Sequence, residues 1–203
     1  GWEITEGARE ARVIVHPNNP DGAFAHPPQE PYAIIDESFC DVAPERSLVG
    51  EAAKPGRILL KSFGKFWGLA GLRLGFALGP EDLIASLRER LGPWAVAGPA
   101  LAVGAAALED EAWAESTRQR LAMDAQRLDT LFTGVGAETV GGTSLFRLYR
   151  VGDAAAAQDH LAQHRIWSRV FPYSKTWLRL GLPAPGRWGQ LEEALAGGLG
   201  TAG

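Results

Sequence analysis

The chain has 203 residues, enough to bury one large core or two small ones. Hydrophobic residues make up 46% and charged residues 22%, and a net charge of −4 leaves no basic footprint for nucleic acid, so none is expected as a partner. Gly, Pro or charge interrupts every apolar run well short of a membrane span, Gly1-Trp2-Glu3-Ile4 lacks the pattern of a secretory signal, and the lone Cys40 cannot form an internal disulfide; these point to a cytoplasmic protein with no membrane partner.

In chain order, residues 11–16 (Ala-Arg-Val-Ile-Val-His) read as a strand that ends in the turn Pro17-Asn18-Asn19-Pro20-Asp21-Gly22. Residues 32–36 (Tyr-Ala-Ile-Ile-Asp) form a second apolar run that ends on a carboxylate. The Pro-rich connection between them has room for at most a short helix. Residues 57–62 and 72–78 are the next strand candidates. Such nearly continuous apolar runs predict a sheet covered on both faces. Leu83, Leu87 and Leu91 then repeat at helical spacing, with acids at the start and Arg88, Arg90 and Gly92 at the end. The segment from 99 to 133 predicts one long helix or two abutting ones.

From Gly141 the pattern changes. Residues 143–150 alternate as a half-buried strand, and Asp153 caps a helix that runs to about His164. Short strands at 165–170 and 176–182 and a helix carrying Leu191, Leu195 and Leu199 complete a small α+β unit. The expected organisation is an α/β cofactor-binding part at 1–98, a linking helix at 99–135 and a small α+β domain at 136–203. His160 and His164 lie one helical turn apart, but no acid completes a ligand set, so no metal is expected. Asp41, Glu45 and Arg46 read as a solvated loop, and Lys61 reads as exposed because it alternates with Ser62.

Three features stand in one order: Asn19 in its turn, Asp36 at a strand end, and Lys65 among Gly64, Gly68, Gly71, Phe63, Phe66 and Trp67. Lysine is scarce, with four against sixteen arginines, so a reactive lysine has few candidates. Arg73 and Arg179 lie in apolar runs, where a guanidinium calls for an anion.

This order and spacing resembles the fold-type I pyridoxal-phosphate enzymes, the family of the class I/II aminotransferases, from about Arg12 to Leu182. The resemblance implies the C-terminal part of that α/β fold: a partial mixed or parallel sheet, a linking helix and a small α+β domain. It implies pyridoxal 5′-phosphate as cofactor. Lys65 would bond the cofactor aldehyde, and Asp36 would keep the pyridine nitrogen protonated. Asn19 would donate to the ring 3-oxygen, and Ser62 and Arg73 would hold the cofactor phosphate. Arg179 would clamp the substrate carboxylate. Arg169 and, less favoured, Lys175 are the candidates for a substrate phosphate. A homodimer is implied by the resemblance alone.

One position departs from the aminotransferase pattern. Where a tyrosine usually reaches the cofactor, this chain has Phe39, which cannot donate a hydrogen bond. With Asp36-Glu37-Ser38-Phe39-Cys40-Asp41-Val42 and Gly92-Pro93-Trp94, the chain looks most like the threonine-phosphate decarboxylases of cobalamin biosynthesis. The implied reaction turns the phosphorylated amino acid L-threonine O-3-phosphate into (R)-1-aminopropan-2-yl phosphate and CO₂. A histidinol-phosphate-type aminotransferase would use the same residues. A third reading is a non-catalytic remnant, because the family's glycine-containing phosphate loop and ring-stacking aromatic have no counterpart before Val13. On this resemblance the chain starts in mid-domain.

Overall fold

A computed structural model describes residues 10–199; the reading of Gly1-Trp2-Glu3-Ile4 lies outside the described residues. The chain divides into two compact units, one of residues 10–18 and 24–112, the other of residues 19–23 and 113–199.

In the first unit, β1 (Ala11–Val15), β2 (Tyr32–Asp36), β3 (Arg57–Ser62) and β4 (Gly75–Leu78) form one sheet in that order. The first three strands run parallel and β4 is antiparallel to β3. Register places Val15 beside Asp36 and Asp36 beside Leu60, so β1 and β2 end together and β3 runs two residues further to Ser62. Burial alternates rather than running continuously. Ile14, Ile35 and Leu59 pack with Ala52, Leu48 and Leu78, whereas Val13 is 71% and Ile34 40% exposed. The expectation of a sheet covered on both faces is therefore corrected for the described residues. Successive side chains point to opposite faces, and the buried one lies against the short 3-10 turn Val49–Ala53.

The connection between β1 and β2 holds no regular helix. The buried Arg57 pins it instead, donating to the carbonyls of Pro28 (3.0 Å) and Glu30. The strand expected at 72–78 starts only at Gly75. A 3-10 turn at Ala70–Leu72 takes up the chain before it, and Arg73 closes that turn in the left-handed region at φ 53°. Arg73 thus belongs to a loop, not to a strand.

Helix α1 (Glu81–Leu91) carries acids in its first turn and Arg88 and Arg90 in its last, as its sequence predicts. Helix α2 (Gly98–Glu109) follows and α3 (Glu111–Gly134) abuts it, with a break at Asp110. Gly104 of α2 lies so close to Leu74 that a β-carbon there would be 2.4 Å from Leu74 Cδ2.

The second unit is an antiparallel sheet in the order β5 (Glu138–Thr143), β6 (Phe146–Arg150), β8 (Ser174–Gly181), β7 (Arg169–Phe171). Helix α4 (Ala154–Gln163) is capped as expected, the Asp153 carboxylate accepting from the Ala155 and Ala156 amides at 2.8 and 3.0 Å. With α5 (Trp188–Leu195) and the second half of α3 it encloses Leu128, Phe132, Tyr149, Leu161, Leu178 and Leu191. Phe132 stacks on Tyr149 at 4.4 Å. The single strand expected at 143–150 is in fact a hairpin. Gly141 and Gly142 carry no side chains to show alternation, yet both lie in β5. The turn segment 19–23 is laid on them: the Gly142 amide donates to Asp21 O at 2.7 Å, and a β-carbon on Gly22 would meet Gly142 O at 2.0 Å.

Candidate active site

Parallel strands offer their carboxyl ends as a place for ligands, and here β2 ends on Asp36 and β3 on Ser62. Asp36 Oδ1 accepts from the Ser38 amide at 2.9 Å and the Ser38 hydroxyl at 2.5 Å, an Asx-type turn that fixes the carboxylate. Both bonds fall on Oδ1, so Oδ2 is the oxygen available to a donor. Ser62 Oγ accepts from the Gly64 amide at 3.1 Å, which aims its own O–H elsewhere. Lys65 is exposed, with Nζ 5.4 Å from the centre of the Phe39 ring. Arg73 is exposed and donates to Ala70 O at 3.0 Å. Asp36, Ser62, Lys65 and Arg73 therefore come from one unit, on the loops that leave two neighbouring strands.

Beneath them lies a polar layer that includes Lys61 and Asp41, which the sequence pattern places in solvent. Glu37 is fully buried and accepts from Ser47 Oγ (2.7 Å), the Leu48 amide (2.6 Å) and Lys61 Nζ (2.8 Å). Lys61 also pairs with Asp41 at 2.9 Å, and Asp41 accepts from Trp67 Nε1 at 2.9 Å. The side chains of Lys61 and Asp41 are only 22% and 15% exposed. Both are corrections to the sequence reading: strand alternation turns Lys61 away from Ser62, but toward an acidic pocket and not toward water. Burial alone would lower the Lys61 pKa; the Glu37 hydrogen bond and the Asp41 charge outweigh it and leave it raised. Glu45 and Arg46 are exposed as expected.

Cys40 is buried beside Glu37, and burial followed by that carboxylate's charge pushes its thiol up to about 12. His16, Glu37 and Cys40 approach within 4.8 Å of one another, a cluster that spacing did not reveal. Hydrogen bonds already use both nitrogens of His16: Nδ1 accepts from the Ala25 amide at 3.0 Å and Nε2 therefore donates to Arg46 O at 2.8 Å. The cluster is a hydrogen-bonded support. His160 likewise bonds to Ala194 O at 2.7 Å.

The second unit brings together Asn19, Arg169 and Arg179. Asn19 Oδ1 accepts from Arg179 Nη1, and Arg169 faces Arg179 across the β7–β8 pair. Burial and then the charge of Arg169 lower the Arg179 pKa. Two guanidiniums side by side, with an amide oxygen as the partner of one, favour an anion. Lys175 is exposed on β8.

A mixed, mainly parallel sheet with an acid and a serine at its carboxyl edge, and a lysine on the loop that follows, defines an α/β protein whose strand ends are the place where such folds take ligands. The chain belongs to the class I and II aminotransferase family, whose model matches residues 4–197. It is 41% identical over 197 residues to the threonine-phosphate decarboxylase of Pseudomonas aeruginosa, covering 91% of this chain and 59% of that one. It is 30% identical over 208 residues to histidinol-phosphate aminotransferase 1 of Thiobacillus denitrificans, covering 93% and 53%. Among solved structures, the histidinol-phosphate aminotransferase of Clostridium acetobutylicum superposes with a TM-score of 0.83 at 19% identity, over 93% of this chain and 63% of that one, which shows the shared fold. The chain thus spans little more than half the length of the curated relatives.

Proposed function

We propose that the protein to which this chain belongs decarboxylates L-threonine O-3-phosphate with pyridoxal 5′-phosphate. The 41% identity to a threonine-phosphate decarboxylase, against 30% to a histidinol-phosphate aminotransferase, carries the reading. The residues present fit the cofactor. Asp36 offers Oδ2 to a ring nitrogen, Ser62 an O–H and Arg73 a guanidinium to a phosphate, and Lys65 a primary amine with no carboxylate partner among the described residues.

When bound, the cofactor supplies an electron sink for the bond that breaks. The chain's own residues do the rest. Lys65 Nζ would hold the cofactor between turnovers and, as an ammonium, would donate a proton to the carbon that has lost CO₂. The charge of Asp36 keeps a proton on the ring nitrogen. Asn19 donates through its amide nitrogen to the ring oxygen while its Oδ1 engages Arg179. Arg179 orients the substrate carboxylate, and positioning selects loss of CO₂ over loss of a proton. Arg169 takes the substrate phosphate. Phe39, unable to donate, gives Lys65 a ring face instead of a hydroxyl.

A second copy is the proposed partner, supported by α2, whose Leu101, Val103 and Leu108 are exposed on a helix with Glu109 as its one charge. The proposed compartment is the cytoplasm, where the lone buried thiol of Cys40 needs no oxidant. Among the described residues no helix is long and apolar enough to cross a membrane.

The test is to add pyridoxal phosphate and then threonine phosphate to the purified protein, with light scattering on the same sample to read the dimer. A visible absorption band that Lys65→Ala abolishes, followed by CO₂ release, is expected. Formation of a 2-oxo acid in place of CO₂ would convert the reading to an aminotransferase. A protein that folds but develops no band would be the non-catalytic remnant.

A further inference from the structure

We propose that Glu37, Lys61, Asp41 and Trp67 form a brace that positions Lys65 relative to Asp36. The inference deepens the cofactor reading and rests on it for its chemical meaning. Each member is a short step along the chain from a residue of the proposed site. Glu37 follows Asp36, Lys61 precedes Ser62, Trp67 lies two residues after Lys65, and Asp41 two after Phe39. Backbone bonds alone leave the Lys65 loop tied mainly to itself, through Gly68 N to Lys65 O at 3.1 Å and Leu69 N to Phe63 O at 2.9 Å. The side-chain chain Glu37–Lys61–Asp41–Trp67, with links of 2.8, 2.9 and 2.9 Å, joins that loop to the end of β2.

Stability alone is a poor reason for this construction. A buried charge pair seldom outperforms well-packed apolar side chains, because desolvating both ions costs about as much as their attraction returns. What such a network supplies is fixed geometry. Lys61 cannot shift without taking the counter-charge from the fully buried Glu37, and Trp67 cannot swing without leaving Asp41 one donor short. Trp67 is further held by stacking on Phe63 at 5.5 Å and by its edge contact with Phe66 at 5.1 Å. A lysine that must meet a rigid ring at bonding distance needs its loop located within a fraction of an ångström, and supporting side chains provide that. The four are positioning residues; none is placed in contact with substrate.

The chemistry offers two mild variants. Trp67→Phe keeps a ring against Phe63 and Phe66 and deletes only the donor to Asp41. Asp41→Asn keeps an acceptor for Trp67 and deletes the charge facing Lys61. The readouts are amide hydrogen exchange over residues 63–68 in the cofactor-free protein, the dissociation constant for pyridoxal phosphate read from the visible band, and the pH midpoint of that band. Both variants are expected to fold, to speed exchange over 63–68 by about tenfold and to weaken cofactor binding by a similar factor, the scale of one lost hydrogen bond to a charged group. The band's pH midpoint should move as well. Asp129→Asn, which weakens the Arg147–Asp129–Tyr149 cluster of the second unit, serves as the control: it should lower Tm and leave the band and the 63–68 exchange unchanged.

Folded Trp67→Phe and Asp41→Asn proteins with wild-type exchange and wild-type cofactor binding would overturn the brace. If the wild-type protein binds no pyridoxal phosphate, the functional reading fails. The exchange measurement then decides the brace alone, faster exchange supporting it and unchanged exchange overturning it.

Discussion

At the scale of single residues, the site is set by what each polar group already has as a partner. Cys40 shows this in a measurable way. Its thiol is raised from 9.0 to about 12 by burial and by the neighbouring Glu37 charge. In the unfolded chain the thiol ionises above 9.0; in the folded chain it stays protonated until about 12. The folded state is therefore at full advantage below pH 9 and loses stability as pH rises, by about 1.4 kcal/mol per unit in that window. Tyr149 and Lys61, both raised from reference values of 10.0 and 10.5, add losses of the same sign only above those values. The interval between pH 9 and 10 thus belongs to Cys40. Urea unfolding at pH 8, 9 and 10 should show a declining stability in the wild type and a nearly flat one in Cys40→Ala. An equal decline in both would remove Cys40 as its source. The same thiol should resist alkylation in the native protein at pH 8, since the thiolate is the reactive form.

At the scale of elements, legibility depended on how local the cause was. β2, β3, α1 and α4 are readable because a short apolar run, acid-to-base polarity and an Asp cap are each local signals, lying within a dozen residues. The hairpin β5–β6 could not, because its first strand is built on Gly141 and Gly142 to admit the 19–23 turn, a partner more than a hundred residues earlier. The site divides the same way. Asp36, Ser62 and Lys65 stand at the ends of readable strands. The support below them joins residues 20 to 26 positions apart, and nothing in the local pattern of Lys61 or Asp41 announces it. Leu72 and Leu74 flank Arg73 in a strand-like pattern, yet the 3-10 turn overrides that alternation. The Gly22 contact gives a direct check. Gly22 has φ 73°, and a β-carbon there would meet backbone at 2.0 Å, so no side-chain rotation relieves it. Gly22→Ala should cost roughly 3 kcal/mol, left-handed strain and displacement of the turn together. It should also release Asn19 from Arg179. Gly50→Ala, where a β-carbon meets nothing within 4 Å, should be close to neutral in the same thermal melt. A Gly22→Ala protein as stable as wild type would show that the turn is not seated on β5.

At the scale of the whole molecule, the two units carry unequal cores. In the second, Leu128, Phe132, Tyr149, Leu161 and Leu178 are all fully buried and connect two strands with two helices. In the first, the corresponding cluster is Ile14, Ile35, Ala52 and Leu59, and the alternate residues Val13, Tyr32 and Ile34 face outward among the described residues. Apolar burial scales with the area withdrawn from water, so local opening should cost more in the second unit than in the first. Native-state hydrogen exchange should find its slowest amides in β6, β8 and α4 and faster ones in β1 and β2. Leu161→Ala sharpens the test. Truncating a fully buried leucine costs about 3 kcal/mol, close to a hundredfold in the opening equilibrium. The increase should appear across β6, β8 and α4 while the rates of β2 and β3 stay as they were. If β2 and β3 accelerate by the same factor, the two cores open as one cooperative unit, and the loop that carries Lys65 draws its order from the second core as well as from its own brace.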